Sequence, residues 1–346
     1  MKPVGSIFEL MEIAVARDAS DLHLSAGTVP VLRIYGNLVP LTGYEPLTPN
    51  TVRRLMMSVM DESQSKALET VGEVDFSYGV HGIGRFRCSV YMQRGSFSAA
   101  IRVINSAIRT LDQLRMPAII AEIIQKKDGL ILVTGPTGAG KSTTLAAMID
   151  LINQERQGVI ITLEDPIEYL HHHGGCIINQ REIGTDTRTF ASGLRAALRA
   201  DPDVILVGEM RDLETIATAI SAAETGHLVL STLHTRSAAT TIDRIIDVFP
   251  LQSQQQIRVQ LAGVIEAVIS QQLIPRSDGR GMVPAVEVML GTPAIRNLIR
   301  DNKTHQIKAQ IETGTRYGMQ TLDAAIDELI RQGLVDAVEA NRYRAL

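Results

Sequence analysis

The stretch Gly135-Pro136-Thr137-Gly138-Ala139-Gly140-Lys141-Ser142 constrains this chain more than any other. It fits G-x-x-x-x-G-K-[ST] at every fixed position. Glycines at those spacings let the backbone curl until several N–H groups face one anion, and a helix starting at the lysine adds its partial positive end. The flanks suit that reading: Leu130 to Val133 is a short apolar run of strand type, and Thr143 to Ile152 reads as a helix. The expectation is a strand, a phosphate-binding loop and a helix in succession. Lys141 should reach the β- and γ-phosphates of ATP, and the Ser142 hydroxyl should ligate Mg2+.

Such a unit needs neighbours. Val159 to Leu163, Val204 to Val207 and Leu228 to Leu230 are continuous apolar runs, as in strands buried on both faces and separated by helices. This predicts an α/β core with a parallel sheet. Acidic residues stand where two of those strands should end: Glu164-Asp165, and Glu209 after Gly208. Ligands of open α/β sheets bind at the carboxyl ends of the strands, so both acids are expected in the crevice of the loop. Glu209 is assigned to positioning or deprotonating the attacking water, and Glu164 to supporting Mg2+ through water. His227 and His234 bracket the last run and are candidates for sensing the γ-phosphate. Of the triplet His171 to His173, His171 is expected nearest the nucleotide.

Phosphoryl transfer also needs positive charge near the leaving phosphate. Arg85, Arg87, Arg94 and Arg102 lie in a strand-rich first region, and Arg109 follows it. Arg195 and Arg199 should share one face of a helix.

The first hundred residues read as a separate mixed module. Ser6 and Glu9 have the spacing of a capping box, ahead of a stripe of Phe8, Met11 and Val15. Thr48-Pro49 opens a second helix. From Val74 to Ile104 the period is two, with Phe86, Cys88, Val90 and Met92 on one side and a reversal at Gly79 to Gly84. The boundary is placed near residue 105, and Leu322, Ile326 and Leu329 form a closing helix behind Thr321.

Composition removes several classes. A chain of 346 residues suggests about two domains. Cys88 and Cys176 are its only cysteines, too few for a disulfide scaffold or a four-cysteine zinc module. No apolar run approaches the roughly 18 residues of a membrane span, and a cytoplasmic setting is expected. A net charge of -4 and 4% aromatics argue against nucleic acid as a partner.

Four boxes carry a resemblance: GPTGAGKST at 135–143, ITLEDPIEYLHHH at 161–173, LRADPDVILVGEMRD at 198–212 and TGHLVLSTLHT at 225–235. With DASDLHLSAG at 18–27, AIRNLIR at 294–300 and GMQTLD at 318–323, the chain resembles the secretion ATPases of type II secretion and type IV pilus systems, most closely their pilus-retraction members. The resemblance implies an N-terminal PAS-like α+β domain (1–104), a linker (105–116), a RecA-like P-loop NTPase core (117–290) and a helical C-terminal region (291–346). It implies a homo-hexamer with ATP held between one subunit's core and the next subunit's N-terminal domain. Glu209 then matches the Walker B glutamate, Glu164 that of the Asp box, and His227 and His234 those of the His box. Arg94 and Arg109, with Arg85 and Arg87 as alternatives, match the finger arginines of the family's N-terminal domain. The implied work is ATP-driven pilus retraction (twitching motility) through an inner-membrane platform protein of PilC type, at the cytoplasmic face of that membrane and beside a possible PilU-like paralogue. An accessory retraction ATPase of PilU type, or a RecA-like motor stimulated by nucleic acid, is the alternative. The Walker B strand ends in Gly208 rather than the acid common in other P-loop ATPases, which shifts the burden to Glu209.

Overall fold

A computed structural model describes residues 1–34, 36–104 and 108–344. The chain divides into two compact units, Met1–Ala107 with Glu168–Leu170, and Ile108–Ile167 with His171–Leu346. The boundary expected near residue 105, with the first residues of the linker, lies outside the described residues.

The first unit contains α1 (Ile7–Ala16), β1 (Asp21–Ser25), β2 (Val31–Ile34), β3 (Asn37–Pro40), α2 (Pro49–Met57), α3 (Glu62–Val71), β4 (Glu73–Val80), β5 (Gly84–Gln93) and β6 (Ser96–Ile104). Its strands form one antiparallel sheet in the order β3-β2-β1-β6-β5-β4. Leu22, Leu24, Phe86, Cys88, Val90 and Ile101 point from this sheet into a core closed by Leu10, Met11, Leu55 and Met56 of α1 and α2. Burial pushes the Cys88 thiol up to about 12.

Three local expectations are corrected here. Ser6 caps α1 by accepting the Glu9 N–H, but the Glu9 carboxylate turns to Lys2 and Tyr44, so no reciprocal box forms. The buried stripe of α1 runs through Ile7, Leu10, Met11 and Ala14, leaving Phe8 exposed. Met92 is exposed near the end of β5, where the alternation runs out into the hairpin. Helix α3 buries only Leu68 and so shows little apolar stripe in the sequence; its ends are marked instead by the capping box of Asp61 and Gln64 and by Gly72 at φ 93°.

The second unit contains α4 (Ile119–Ile123), β7 (Gly129–Thr134), α5 (Lys141–Glu155), β8 (Gly158–Glu164), β9 (Cys176–Glu182), α6 (Phe190–Ala197), β10 (Val204–Val207), α7 (Leu213–Glu224), β11 (Leu228–Leu233), α8 (Ala238–Asp247), α9 (Leu251–Val264), β12 (Ile265–Pro275) and β13 (Met282–Leu290). Helices α10 (Pro293–Arg300), α11 (Ile307–Thr313), α12 (Leu322–Arg331) and α13 (Ala337–Ala340) follow. The sheet has the order β13-β12-β7-β11-β10-β8-β9, parallel except for β13. All four predicted apolar runs are strands of this sheet. Each is packed on both faces, which is why they read as continuous rather than alternating.

Candidate nucleotide site

The parallel register places the candidate residues along one edge of the sheet. Thr134, the last residue of β7, pairs with Leu233 of β11, and Val207 of β10 pairs with Ser231 of β11 and Leu163 of β8. The P-loop, His234, Glu209 and Glu164 therefore leave the carboxyl ends of four adjacent strands. Glu209 emerges about level with Thr134, two strand spacings or ~10 Å across the sheet. This is the crevice in which open α/β sheets bind ligands.

The loop is glycine-dependent for steric as well as torsional reasons. Gly135 has φ 147°, and a Cβ there would lie 2.2 Å from the Gln271 carbonyl oxygen. Gly140 adopts φ 83° immediately before α5. Most α-helices of this chain carry a Ser, Thr or Asp cap, whereas no side chain caps α5. Its first turn keeps the positive end of the helix for an anion. Lys141 is buried, and its Nζ donates to the carbonyls of Gly135 (2.9 Å) and Pro136 (3.0 Å). Ser142 is exposed at the mouth of the loop, as are Thr137 and Gly138, while Ala139 faces inward and Thr143 is half-buried.

Beside the loop lies a cavity of about 440 Å³ whose walls include Arg109, Leu114, Met116, Leu273, Arg276 and Arg280. Apolar side chains and guanidinium groups suit a flat, phosphate-linked ligand. Arg109 is thus beside the P-loop within its own unit. Arg94 belongs to the other unit, in the turn between β5 and β6, with φ 49°.

Glu209 is mostly buried. Its Oε2 lies 2.7 Å from Arg211 Nε and 3.6 Å from His234 Nε2. Gly208 donates its N–H to the Leu163 carbonyl at 2.7 Å, and a Cβ on it would come within 3.1 Å of that oxygen and 3.4 Å of Glu164 Cα. The close approach of β8 leaves little room for a side chain at the end of β10, where other P-loop proteins place an acid. Glu164 accepts from Thr162 Oγ1 (2.6 Å) and from Gln180 Nε2 (3.1 Å), while Gln180 Oε1 receives the His171 N–H (2.8 Å). The Glu164 carboxylate is therefore oriented from two strands. Burial, with a smaller contribution from His172, holds His171 down to about 4, so its imidazole is neutral at pH 7.

Two expectations fail at this site. His227 is not brought to the crevice: Leu228 pairs with Gly129, so His227 precedes β11 at the opposite edge, ~20 Å from the loop at 3.3 Å per residue. There its Nδ1 lies 2.9 Å from the Ala222 carbonyl and closes the end of α7. Arg199 falls past the end of α6, and Arg195 pairs with Glu214 on the surface. Among the described residues no group of three or more His, Cys, Asp or Glu could hold a metal.

Two residues were missed. Gln271 of β12 is buried against the P-loop. Glu287 of β13 is buried and accepts the Ala238 N–H at 2.7 Å, holding the start of α8 just after His234; burial raises its pKa. Polar residues interrupting two long apolar strands were the available signal.

A parallel sheet with a glycine loop feeding an uncapped helix, and carboxylates at the same edge, defines a P-loop nucleoside triphosphatase. The description "Type II/IV secretion system protein" matches residues 9–342, and the chain belongs to that family. It is 48% identical over 334 residues to the type IV pilus retraction ATPase PilT of Pseudomonas aeruginosa, covering 96% of each chain. It is 41% identical over 332 residues to the type IV pilus ATPase PilU of the same organism, covering 96% of this chain and 87% of that one. The crystal structure of the pilus retraction motor PilT with bound ADP superposes with a TM-score of 0.93 at 48% identity, over 99% of this chain and 98% of that one.

Proposed function

We propose that this chain is an ATP-driven motor for type IV pilus retraction. The carrying observation is the 48% identity and 0.93 TM-score to the retraction motor, across both units rather than the P-loop region alone. In this reading Lys141 holds the β- and γ-phosphates and the Ser142 hydroxyl ligates Mg2+, with Glu164 acting through water. Hydroxyl and carboxylate oxygens are the donors Mg2+ prefers. Glu209 takes or orients the proton of the attacking water, and His234, beside it, senses the γ-phosphate. The cavity walled by Arg109 and Leu273 receives the nucleoside. Magnesium supplies charge neutralisation at the transferring phosphoryl group.

The first unit is read as a PAS-like domain, supported by its antiparallel sheet with first and last strands adjacent at the centre. Residues 117–290 are read as the RecA-like core, 291–346 as a helical region, and 105–116 as the linker. Arg94 is assigned to the nucleotide of a neighbouring copy in a homo-hexamer. The motor acts at the cytoplasmic face of the inner membrane on a platform protein; among the described residues no helix is long and apolar enough to cross a membrane. The test is complementation. Expression in a cell deleted for its retraction ATPase should restore twitching. Restoration only alongside a second retraction ATPase would make it an accessory motor, and phosphate release stimulated severalfold by single-stranded DNA would replace the pilus reading.

A further inference from the structure

We propose that Gln271 is a positioning residue for phosphate binding: it holds the Ala139 carbonyl from behind and so aims the Gly140 N–H at the nucleotide. This rests on the P-loop reading above.

Gln271 lies on β12, one residue beyond Ser270, which pairs with Thr134 at the end of β7. It is 2% exposed. Both ends of its amide are used. Nε2 donates to the Ala139 carbonyl at 2.5 Å, and Oε1 accepts from Thr144 Oγ1 at 2.9 Å. Its backbone carbonyl occupies the space that a Cβ on Gly135 would need. A Cβ on Gly140 would lie 3.3 Å from the Gln271 amide nitrogen. One residue of a neighbouring strand thus touches the loop at its first glycine, at Ala139 and at its last glycine, and also fastens the first turn of α5.

Peptide planarity turns that fastening into a function. In a trans peptide the C=O of one residue and the N–H of the next point in opposite directions. Drawing the Ala139 carbonyl toward β12 turns the Gly140 N–H away from β12. An amide suits both ends because it carries a donor and an acceptor. A carboxylate would set acceptor against acceptor at Ala139, and a thioether would leave that carbonyl without its donor. Either change frees the 139–140 peptide to rotate and takes one N–H out of the anion site.

The test measures MgADP affinity, MgATP turnover and melting temperature in Gln271→Met, Gln271→Glu and Thr144→Val, with Lys141→Ala as reference. Both Gln271 variants should raise Kd for MgADP and KM for MgATP about tenfold while kcat changes less than about threefold. Thr144→Val removes only the bond at the far end and should stay within about twofold. Wild-type affinity in both Gln271 variants, with binding lost in Lys141→Ala, would overturn the proposal alone. So would an equal loss in Thr144→Val and Gln271→Glu, since the amide would then only be fastening the helix. Normal binding by Lys141→Ala would instead remove the P-loop reading itself. Wild-type protein offers a check that needs no variant: hydrogen exchange of the Gly140 amide should slow when MgADP saturates the site, and unchanged exchange there would also overturn the proposal.

Discussion

At the scale of single residues, the site depends on what surrounds each charge. Glu209 is a carboxylate fixed between an arginine and an imidazole at the end of β10, so its orientation does not rest on its own rotamer alone. Replacing it with glutamine keeps shape and hydrogen bonding but removes the base. Glu209→Gln should bind MgATP with near wild-type affinity and lose turnover by about 10²- to 10⁴-fold. A turnover rate equal to wild type in a phosphate-release assay would take Glu209 out of the mechanism. The contrast with His227 shows the limit of reading residues singly. It stands in the same sequence box as His234, yet a six-residue parallel strand separates them, and the two imidazoles end on opposite edges of the sheet.

At the scale of elements, α10 carries the AIRNLIR stretch, and its Arg296 works as a clamp. Its guanidinium donates to the carbonyls of Gly291 (2.7 Å), Ala262 (2.8 Å) and Gly263, and pairs with Glu266 at 2.6 Å. One side chain thereby closes the end of α9 and joins it to the start of β12 and the end of β13. Only the planar five-donor fork satisfies so many acceptors at once. Arg296→Ala should destabilise the protein by about 2–4 kcal/mol, seen as a melting temperature several degrees lower, with Arg296→Lys recovering only part. A melting curve unchanged within a degree would show that the clamp is dispensable. Elements with a strong local signature, such as α2, α5, α12 and the four central strands, were readable from the chain. Strands β9, β12 and β13 were not, because Asn179, Gln180, Ser270, Gln271 and Glu287 interrupt their apolar pattern. Three of them are buried or half-buried for a reason: Gln180, Gln271 and Glu287 hold Glu164, the P-loop and α8 respectively.

At the scale of the whole molecule, the proposed arrangement makes each nucleotide site the property of two copies. Arg94→Ala and Lys141→Ala should each be inactive alone. Co-expressed, they should recover roughly a quarter of wild-type turnover, because random mixing in a closed ring puts an intact P-loop against an intact Arg94 in about that fraction of sites. Mixed rings that form but show no recovered turnover would exclude Arg94 from a shared site.

The linear chain by itself determined the phosphate loop, the parallel α/β core and the presence of two regions. These follow from local rules: glycine spacing, strand hydrophobicity and helix caps act over a few residues. Tertiary structure alone decided that His227 falls at the opposite edge of the sheet, how little room β8 leaves beside Gly208, and that Gln271 and Glu287 support a loop and a helix not adjacent to them in sequence. Those outcomes depend on strand order and register, and they are set by packing among elements that are not neighbours in the chain: Gln271 lies 132 residues from Ala139, and Glu287 lies 49 from Ala238.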